Sequence, residues 1–309
     1  MSKVSIIGAG FYGLFIASIL EKKYDVTVFE RNAEVFKEAS FNCQARLHNG
    51  LFYIKSLSDL KSCIKNVKPF MFKFKDAIIK DLNSYYIVHK DSNVNSEQYK
   101  IIAKENGISL KPVKLDYLNY NNVQECFIAK EYCFNLERVR DILLSSLSKA
   151  KIITNSFTRV ERLNDKFLVN GEVFDKVVNC SYSEINTLRK QVNLEPYNFD
   201  IHKINYYNVL DNLGRNCFAV VDGNFWNSTI TENDKRYHCG NIQNESQLEK
   251  EVQKIIPEFK IHKIETKICT KCNLRDTRKP IIFNENNFVT VFGGKITNIF
   301  ELLDKIQKI

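Results

Sequence analysis

The chain begins with a strand, a glycine turn and a helix in an order that few folds accept. Val4-Ser5-Ile6-Ile7 is short, β-branched and apolar on both faces, the pattern of a buried parallel strand. It runs into Gly8-Ala9-Gly10-Phe11-Tyr12-Gly13, a GxGxxG turn, and then into the apolar helix Leu14-Phe15-Ile16-Ala17-Ser18-Ile19-Leu20. A second strand, Val26-Thr27-Val28-Phe29, ends at Glu30. Each piece has a task in holding a dinucleotide. Gly8 permits the tight turn, Gly10 leaves room for a pyrophosphate beside the backbone, and Gly13 lets helix and strand pack closely. The helix N-terminus offers N–H groups and a partial positive charge to phosphate. Phe11 and Tyr12 in the turn, and Arg31 after the second strand, join the candidate cofactor contacts. Glu30 stands where a carboxylate accepts from ribose hydroxyls, and its charge disfavours the 2′-phosphate of NADP. A lone GxGxxG is weak evidence, but here all five pieces follow in order within about thirty residues, as a dinucleotide fold demands. This segment by itself leaves NAD and FAD open.

The bulk numbers are those of an ordinary globular protein of one large domain or two intimate ones. There are 309 residues, 44% hydrophobic and 26% charged. No apolar run reaches the roughly 18 to 20 residues of a membrane helix. Met1-Ser2-Lys3 leads straight into the first strand without a signal-like segment, so a cytoplasmic location and no membrane span are expected. Nine cysteines at irregular spacing then read as reduced thiols. The net charge of +9 is spread along the chain. It reads as a solvated surface or as a field that attracts an anionic cofactor or substrate. Nucleic-acid binding would need a clustered basic face or a recognisable module, and the sequence has neither.

Residues 40–56 read Ser-Phe-Asn-Cys-Gln-Ala-Arg-Leu-His-Asn-Gly-Leu-Phe-Tyr-Ile-Lys-Ser. Here the sequence resembles the D-amino-acid-oxidase-like superfamily of FAD-dependent oxidoreductases, above all members that oxidise hydroxy acids and glycerol phosphate. The shared pattern is apolar residue, His, small residue, Gly, apolar residue, aromatic. The resemblance implies that Ala45, Arg46, Leu47, His48 and Gly50 neighbour the flavin, with Gly50 allowing close backbone approach. The end of the chain is similar too. The strand Phe288-Val289-Thr290-Val291-Phe292 is followed by Gly293-Gly294-Lys295-Ile296-Thr297-Asn298 and a helix expected from Ile299 to Ile306. In the family, backbone N–H groups of this turn face the flavin's pyrimidine end, where a lysine and a helix dipole stabilise the reduced, anionic ring. In the middle, Lys176-Val177-Val178-Asn179-Cys180-Ser181-Tyr182 looks like the family's return to the nucleotide, placing Cys180 near it and Val160 against adenine through its backbone.

The fold class expected from this resemblance is α/β: a Rossmann-like FAD-binding domain of the GR2 flavoprotein type, with a second, mainly antiparallel-sheet substrate domain. The FAD domain would take residues 1 to about 75, 135 to 190 and 274 to 309, and the substrate domain residues 76–134 and 191–273. The amphipathic helix Asn135–Leu144 and the strands Lys151–Thr154 and Thr158–Leu163 belong to the first. So does the hairpin Lys166–Phe174, turning at Asn170-Gly171. The second would hold strands at Ser84–Val88, Glu125–Tyr132, Ile204–Val209, Cys217–Val221, Trp226–Thr231 and Arg236–Gly240, with helices Ser96–Asn106 and Ser246–Ile256. Asp222-Gly223 is a turn signal between two of these strands.

The family reaction moves a hydride from a carbon bearing an amine or hydroxyl to flavin N5, while the protein orients the substrate and balances charge. His48 is the first catalytic candidate, as base or hydrogen-bond donor near neutral pH, against a structural histidine bonded to backbone. Tyr53 lines the pocket or sits in the core. Arg46 faces cofactor or substrate, or bridges to a surface acid. Arg275 and Arg278 are candidate carboxylate clamps, because a guanidinium fork matches a carboxylate. Tyr206, Tyr207 and Trp226 read as an aromatic wall or as sheet packing. Cys269-Thr270-Lys271-Cys272 is a lone CxxC; with no further ligands spaced for zinc it reads as two free thiols, and no metal is expected. The partner expected is a small anionic or sugar-linked molecule. The alternatives are a non-redox flavoenzyme of the sugar-mutase type and a non-catalytic FAD-binding protein. The mutase reading lacks the glycine-pair and arginine pattern after Glu30.

Overall fold

The structure is a computed structural model that describes residues 1–222, 226–230, 236–240, 242, 244–275 and 279–309. The chain forms two compact units, each discontinuous in sequence: residues 1–43, 136–203 and 270–309, and residues 44–135 and 204–269. Gly223 and Arg278 lie outside the described residues. No described helix is long and apolar enough to cross a membrane.

The first unit is built on a six-stranded sheet. Its order is Ile281–Glu285, Phe288–Phe292, Lys176–Asn179, Lys3–Ile7, Asp25–Phe29, Lys151–Ile153. All neighbours run parallel except the first two, which form a hairpin. Ile6 pairs with Val28 on one side and Val178 on the other, and all three side chains are buried. A central parallel strand covered on both faces needs that continuous apolar run. The helices Phe11–Leu20, Leu136–Ser145 and Ile185–Gln191 belong to this unit. A three-stranded antiparallel sheet, Val160–Leu163, Lys166–Val169 and Glu172–Phe174, packs Val160, Phe167, Val169 and Phe174 against Phe29, Val177 and Phe288. Its second turn falls at Asn170 and Gly171, with φ of 50° and 88°, the left-handed pair a two-residue hairpin favours.

The second unit carries most of an eight-stranded sheet, in the order Ile261–Leu274, Phe199–Asp211, Arg236–Gly240, Trp226–Ile230, Asn216–Val221, Asn83–His89, Val123–Ala129, Leu110–Val113. Asn216–Val221 and Asn83–His89 run parallel, and the other registered pairs run antiparallel. On one face Leu248 and Val252 of the Glu245–Gln253 helix, with Ile255 and Ile256, cover Tyr85, Phe218 and Trp226. On the other, Tyr99 and Ala103 of the Ser96–Glu105 helix, with Leu51, cover Tyr86, Phe127 and Ala219. A small sheet joins Arg46–Leu47 and Ile78–Ile79 to either side of Tyr132–Phe134. This agrees with the α/β class and the mainly antiparallel second sheet.

Several local readings change. The compact division falls after Cys43, whereas the sequence suggested a boundary near residue 75. Leu51 packs in the second unit's core, and the helix Leu57–Lys73, unread in the sequence, follows it. The expected strand Glu125–Tyr132 is two strands, Val123–Ala129 and Tyr132–Phe134, broken at Lys130-Glu131. The closing helix is a 3-10 turn over Ile296–Glu301 followed by a short α-helix, Leu303–Ile306, instead of one helix from Ile299. Tyr207 and Trp226 are core residues, packed with Phe218 and Val209 rather than forming a wall. Cys269 and Cys272 stand three apart on one strand, so their side chains alternate to opposite faces and do not form a shared thiol site.

Gly13 has the least room of any described glycine. A Cβ there would lie 1.8 Å from the Gly8 carbonyl oxygen, a backbone atom that cannot swing aside. Gly13→Ala is therefore expected to cost at least about 3 kcal/mol, read as a lowered urea midpoint. Gly107 has a φ of +67° and open space around its Cα, so Gly107→Asn, which tolerates that conformation, should cost less than about 1 kcal/mol. Equal losses for the two would contradict the close approach at Gly13.

Candidate functional site

In the first unit the site forms where the Lys3–Ile7 strand turns into the Phe11–Leu20 helix. Gly8 has a φ of +99°, and a Cβ on it would meet the Cys180 carbonyl oxygen at 2.7 Å. The turn is pinned to the next strand by Gly8 N–H donating to Phe29 O at 2.8 Å. The helix begins at Gly10 with no side-chain cap. Its first-turn N–H groups then need an acceptor from outside the helix, and Ser40 Oγ takes one of them, Phe11 N–H, at 2.9 Å. A Cβ on Gly10 would stand 2.9 Å from the same Oγ. An uncapped helix start beside glycines that exclude side chains is a cradle for a phosphate, and it suits the pyrophosphate of a dinucleotide.

Glu30 is buried and does more than await a ribose. Its carboxylate accepts from Ala9 N–H at 2.9 Å, and from Asn32 N–H and Nδ2 at 2.9 and 2.8 Å. It thus ties the second strand to the glycine turn, occupying three of about four lone-pair directions. Arg31 is partly exposed and paired with Glu38 and Glu184 at 3.2 and 3.7 Å. Val160 N–H donates to Gln191 Oε1 at 2.8 Å, and the Val160 side chain is in the core. Cys180 closes the wall behind Gly8; burial pushes its thiol well up, so it stays protonated and inert.

The C-terminal glycine turn meets the same turn from within the unit. Tyr12 Oη fills the space a Gly293 Cβ would take, at 1.9 Å, and donates to Lys295 O at 2.9 Å. Burial raises the Tyr12 phenol far above its ordinary value, so it remains a donor. Gly294 has room beside Asn273, and Ile296 and Thr297 open the 3-10 turn that follows. Arg275 is exposed, just past the Ile261–Leu274 strand, with its N–H bonded to Asn198 O at 3.1 Å.

In the second unit the segment 45–50 is held by a buried acid that sequence reading missed. Glu131, 4% exposed, pairs with Arg46 and accepts from Asn49 N–H at 2.8 Å and from Tyr86 Oη at 2.8 Å. Arg46 also donates to Ser84 Oγ at 2.6 Å, and its guanidinium lies 5.0 Å from the Tyr86 ring centre. The Arg46 side chain therefore points into its own unit, and the reading that aimed it at cofactor or substrate is corrected. Burial alone would push the Glu131 carboxyl up, but the Arg46 charge, helped by His48 and the Asn49 N–H, outweighs it and holds the pKa at about 2. Burial, and then the Glu131 charge, raise the Tyr86 phenol well above its usual range. His48 Nδ1 lies 3.6 Å from Glu131 Oε1, and the ring stacks on Phe52 with Tyr53 edge-on, at centroid distances of 5.1 and 5.3 Å. Ala45 is buried with a φ of 51°, and its carbonyl accepts from Phe134 N–H at 2.9 Å; Leu47 is buried beside it. Gly50 has a φ of +107°, and a Cβ there would press on Leu60 O at 3.0 Å. The structure brings Arg46, His48, Gly50 and Tyr53 together. Glu131 had one signal, an acid inside an otherwise apolar strand-like run.

A glycine-turn helix on a parallel sheet, together with a mainly antiparallel second unit, is the architecture expected of a dinucleotide-binding fold of the flavoprotein type. Residues 3–104 match the DAO family model, "FAD dependent oxidoreductase". Over those residues the chain is similar to the FAD-dependent oxidoreductases of that family, and FAD is the cofactor that its nucleotide site fits. It is 27% identical over 191 residues to the FAD-dependent monooxygenase FPY4 of Fusarium mangiferae, covering 61% of this chain and 52% of that protein. It is 25% identical over 198 residues to the FAD-dependent monooxygenase kojA of Aspergillus flavus, covering 58% and 45%. The chain thus spans about half the length of these curated relatives. Among solved structures, L-alpha-glycerophosphate oxidase from Mycoplasma pneumoniae with FAD bound superposes with a TM-score of 0.80 at 17% identity, covering 100% and 96% of the two chains. L-proline dehydrogenase from P.horikoshii gives 0.78 at 14%, covering 98% and 93%. At these identities the two structures establish shared fold alone.

Removing the charge of Glu131 strands Arg46 in the interior. Glu131→Gln should cost about 3 to 5 kcal/mol at neutral pH, measured by urea unfolding. The folded pKa lies below the unfolded one, so the pair's contribution is complete above about pH 4.5 and fades as pH falls towards about 2. The gap between wild type and variant should narrow across that window; a gap that stays constant would show that Glu131 is not held ionised.

Proposed function

We propose that this protein is an FAD-dependent oxidoreductase that takes a hydride from a carbon bearing an amine or a hydroxyl on a small anionic or sugar-linked molecule. The observation that carries the reading is the helix start at Gly10, which supplies no side-chain cap of its own and is flanked by glycines where Cβ atoms would collide. FAD, when bound, supplies the hydride acceptor at N5. The chain's own residues bind and orient. The first turn of the Phe11–Leu20 helix takes the pyrophosphate, and Glu30 keeps the glycine turn on the second strand, with a remaining lone pair for a ribose hydroxyl. Backbone at Ala45, Leu47 and Gly50 serves the flavin ring, and Gly293 to Thr297 supplies N–H donors and the Lys295 charge to its pyrimidine end. His48, steadied by Phe52 and Tyr53, holds or accepts the substrate proton. The exposed Arg275 is our candidate for the substrate's anionic group. Solved relatives named for proline, glycine and glycerophosphate support keeping both amine and hydroxyl carbons in view.

The purified protein is expected to be yellow and to release flavin on heating or acid treatment. Anaerobic addition of amino acids, hydroxy acids or glycerol phosphate should bleach it with the right substrate. A colourless protein unable to take up FAD would end the proposal. Gly10→Val should leave the fold intact by circular dichroism yet lose stoichiometric FAD. His48→Ala should slow flavin reduction by about 100-fold with FAD retained, and unchanged reduction would remove His48 from the chemistry.

A further inference from the structure

We propose that the outward face of the Leu57–Lys73 helix docks on the surface of an anionic lipid bilayer. The helix is set by its cap and its inner stripe. Ser56 Oγ accepts from Asp59 N–H at 3.2 Å, and Leu60, Cys63, Asn66 and Phe70 face inward. The outward face is unusual. Phe72 is 88% exposed, Leu57 57% and Ile64 37%. At 100° per residue, Leu57, Lys61, Ile64, Lys65, Lys68 and Phe72 fall on one arc about 100° wide. Three apolar residues and three lysines share that arc, all three lysines are exposed, and no acid lies on it. The helix's one carboxylate, Asp59, is buried. Exposed Lys73 and Lys75 extend the positive surface past the helix end, where Asp76 is the single exposed acid.

Charge and dimensions together select the partner. A polar partner surface would leave Phe72 unmatched, and an apolar one would strand the lysines. A bilayer interface accepts both, with rings and branched side chains sinking below the phosphates and lysine stems reaching back to them. Seventeen residues make a face about 25 Å long and about 10 Å wide, roughly a third of the area one side of a standard protein–protein interface buries. Attachment through so small a face is reversible and salt-sensitive. It is independent of the reading of the nucleotide site.

The test is co-sedimentation of the flavin-loaded protein with vesicles. Phosphatidylcholine vesicles containing about 30% phosphatidylserine should bind at least about tenfold more tightly than phosphatidylcholine alone, and about 0.5 M salt should release the protein. Phe72→Ser, and the triple change Lys61→Glu, Lys65→Glu, Lys68→Glu, should each weaken binding about tenfold or more. Melting temperature and visible spectrum should stay unchanged, because these side chains are exposed. The triple change Lys104→Glu, Lys111→Glu, Lys114→Glu alters net charge equally on a different surface and should leave most binding in place. Equal loss from both triple variants would reduce the effect to net charge and overturn the proposal. Binding to polyglutamate but not to anionic vesicles, or wild-type protein that never sediments, would overturn it too.

Discussion

The nucleotide half of this protein depends on how closely the Gly8 carbonyl and Gly13 approach. With no Cβ at residue 13, the helix drops onto the strand end, and its first turn comes to lie beside Gly10 and Ser40. Everything else in the turn protects that approach. Glu30 holds Ala9, Gly8 donates to Phe29, and Phe36 N–H donates to Ala9 O at 3.0 Å. The Cys180 carbonyl closes the remaining side. The turn is therefore rigid before any ligand arrives. Preorganisation of this kind lowers the ordering cost of binding a phosphate.

The second unit reaches rigidity by a different route. Its 45–50 segment is short, irregular and rich in special backbone angles, and such a segment needs its polar groups satisfied from elsewhere. Glu131 does this as a hub: one carboxylate gathers Arg46, Tyr86 and the Asn49 N–H, with His48 close by. A buried ion pair is a poor source of net stability, because desolvation offsets most of its attraction. It does specify geometry. Once Arg46 must meet Glu131, Arg46 and Leu47 are pinned in register with Cys133 and Tyr132 on the neighbouring strand, and His48 follows directly. The imidazole then has one stable place between Phe52 and Tyr53.

What could be read from the sequence tracks how local the determining interaction is. The opening βαβ unit was legible because glycines, apolar strand and acid fall within one stretch of chain. The Asn170-Gly171 hairpin was legible because both residues favour positive φ. Glu131 was hidden because Phe127-Ile128-Ala129-Lys130-Glu131-Tyr132-Cys133-Phe134, apolar on both sides of its two charges, reads as one continuous strand; only tertiary pairing with Arg46 breaks it and turns the acid inward. The Leu57–Lys73 helix was hidden for the opposite reason. Apolar residues occupy its outer face as well as its inner one, and Pro69 interrupts the pattern, so the 3.6-residue period blurs. The boundary near residue 43 depends on where Leu51 finds its core, which no local pattern records.

The two kinds of anchoring assign different debts to the cofactor. In the 45–50 segment the described donors and acceptors of Glu131 and Arg46 are matched by the chain itself, so that segment's shape does not wait on a ligand. The Phe11–Leu20 helix is different: Gly10 gives it no side-chain cap, and its start presents N–H groups and a dipole, one N–H donating to Ser40 Oγ. A phosphate arriving there completes a hydrogen-bond set that the fold leaves open. A ligand that binds the folded state alone stabilises it in proportion to the logarithm of its concentration over its dissociation constant. Flavin loading should therefore stiffen the first unit around this helix start, where the phosphate would add hydrogen bonds to backbone N–H groups of the first turn.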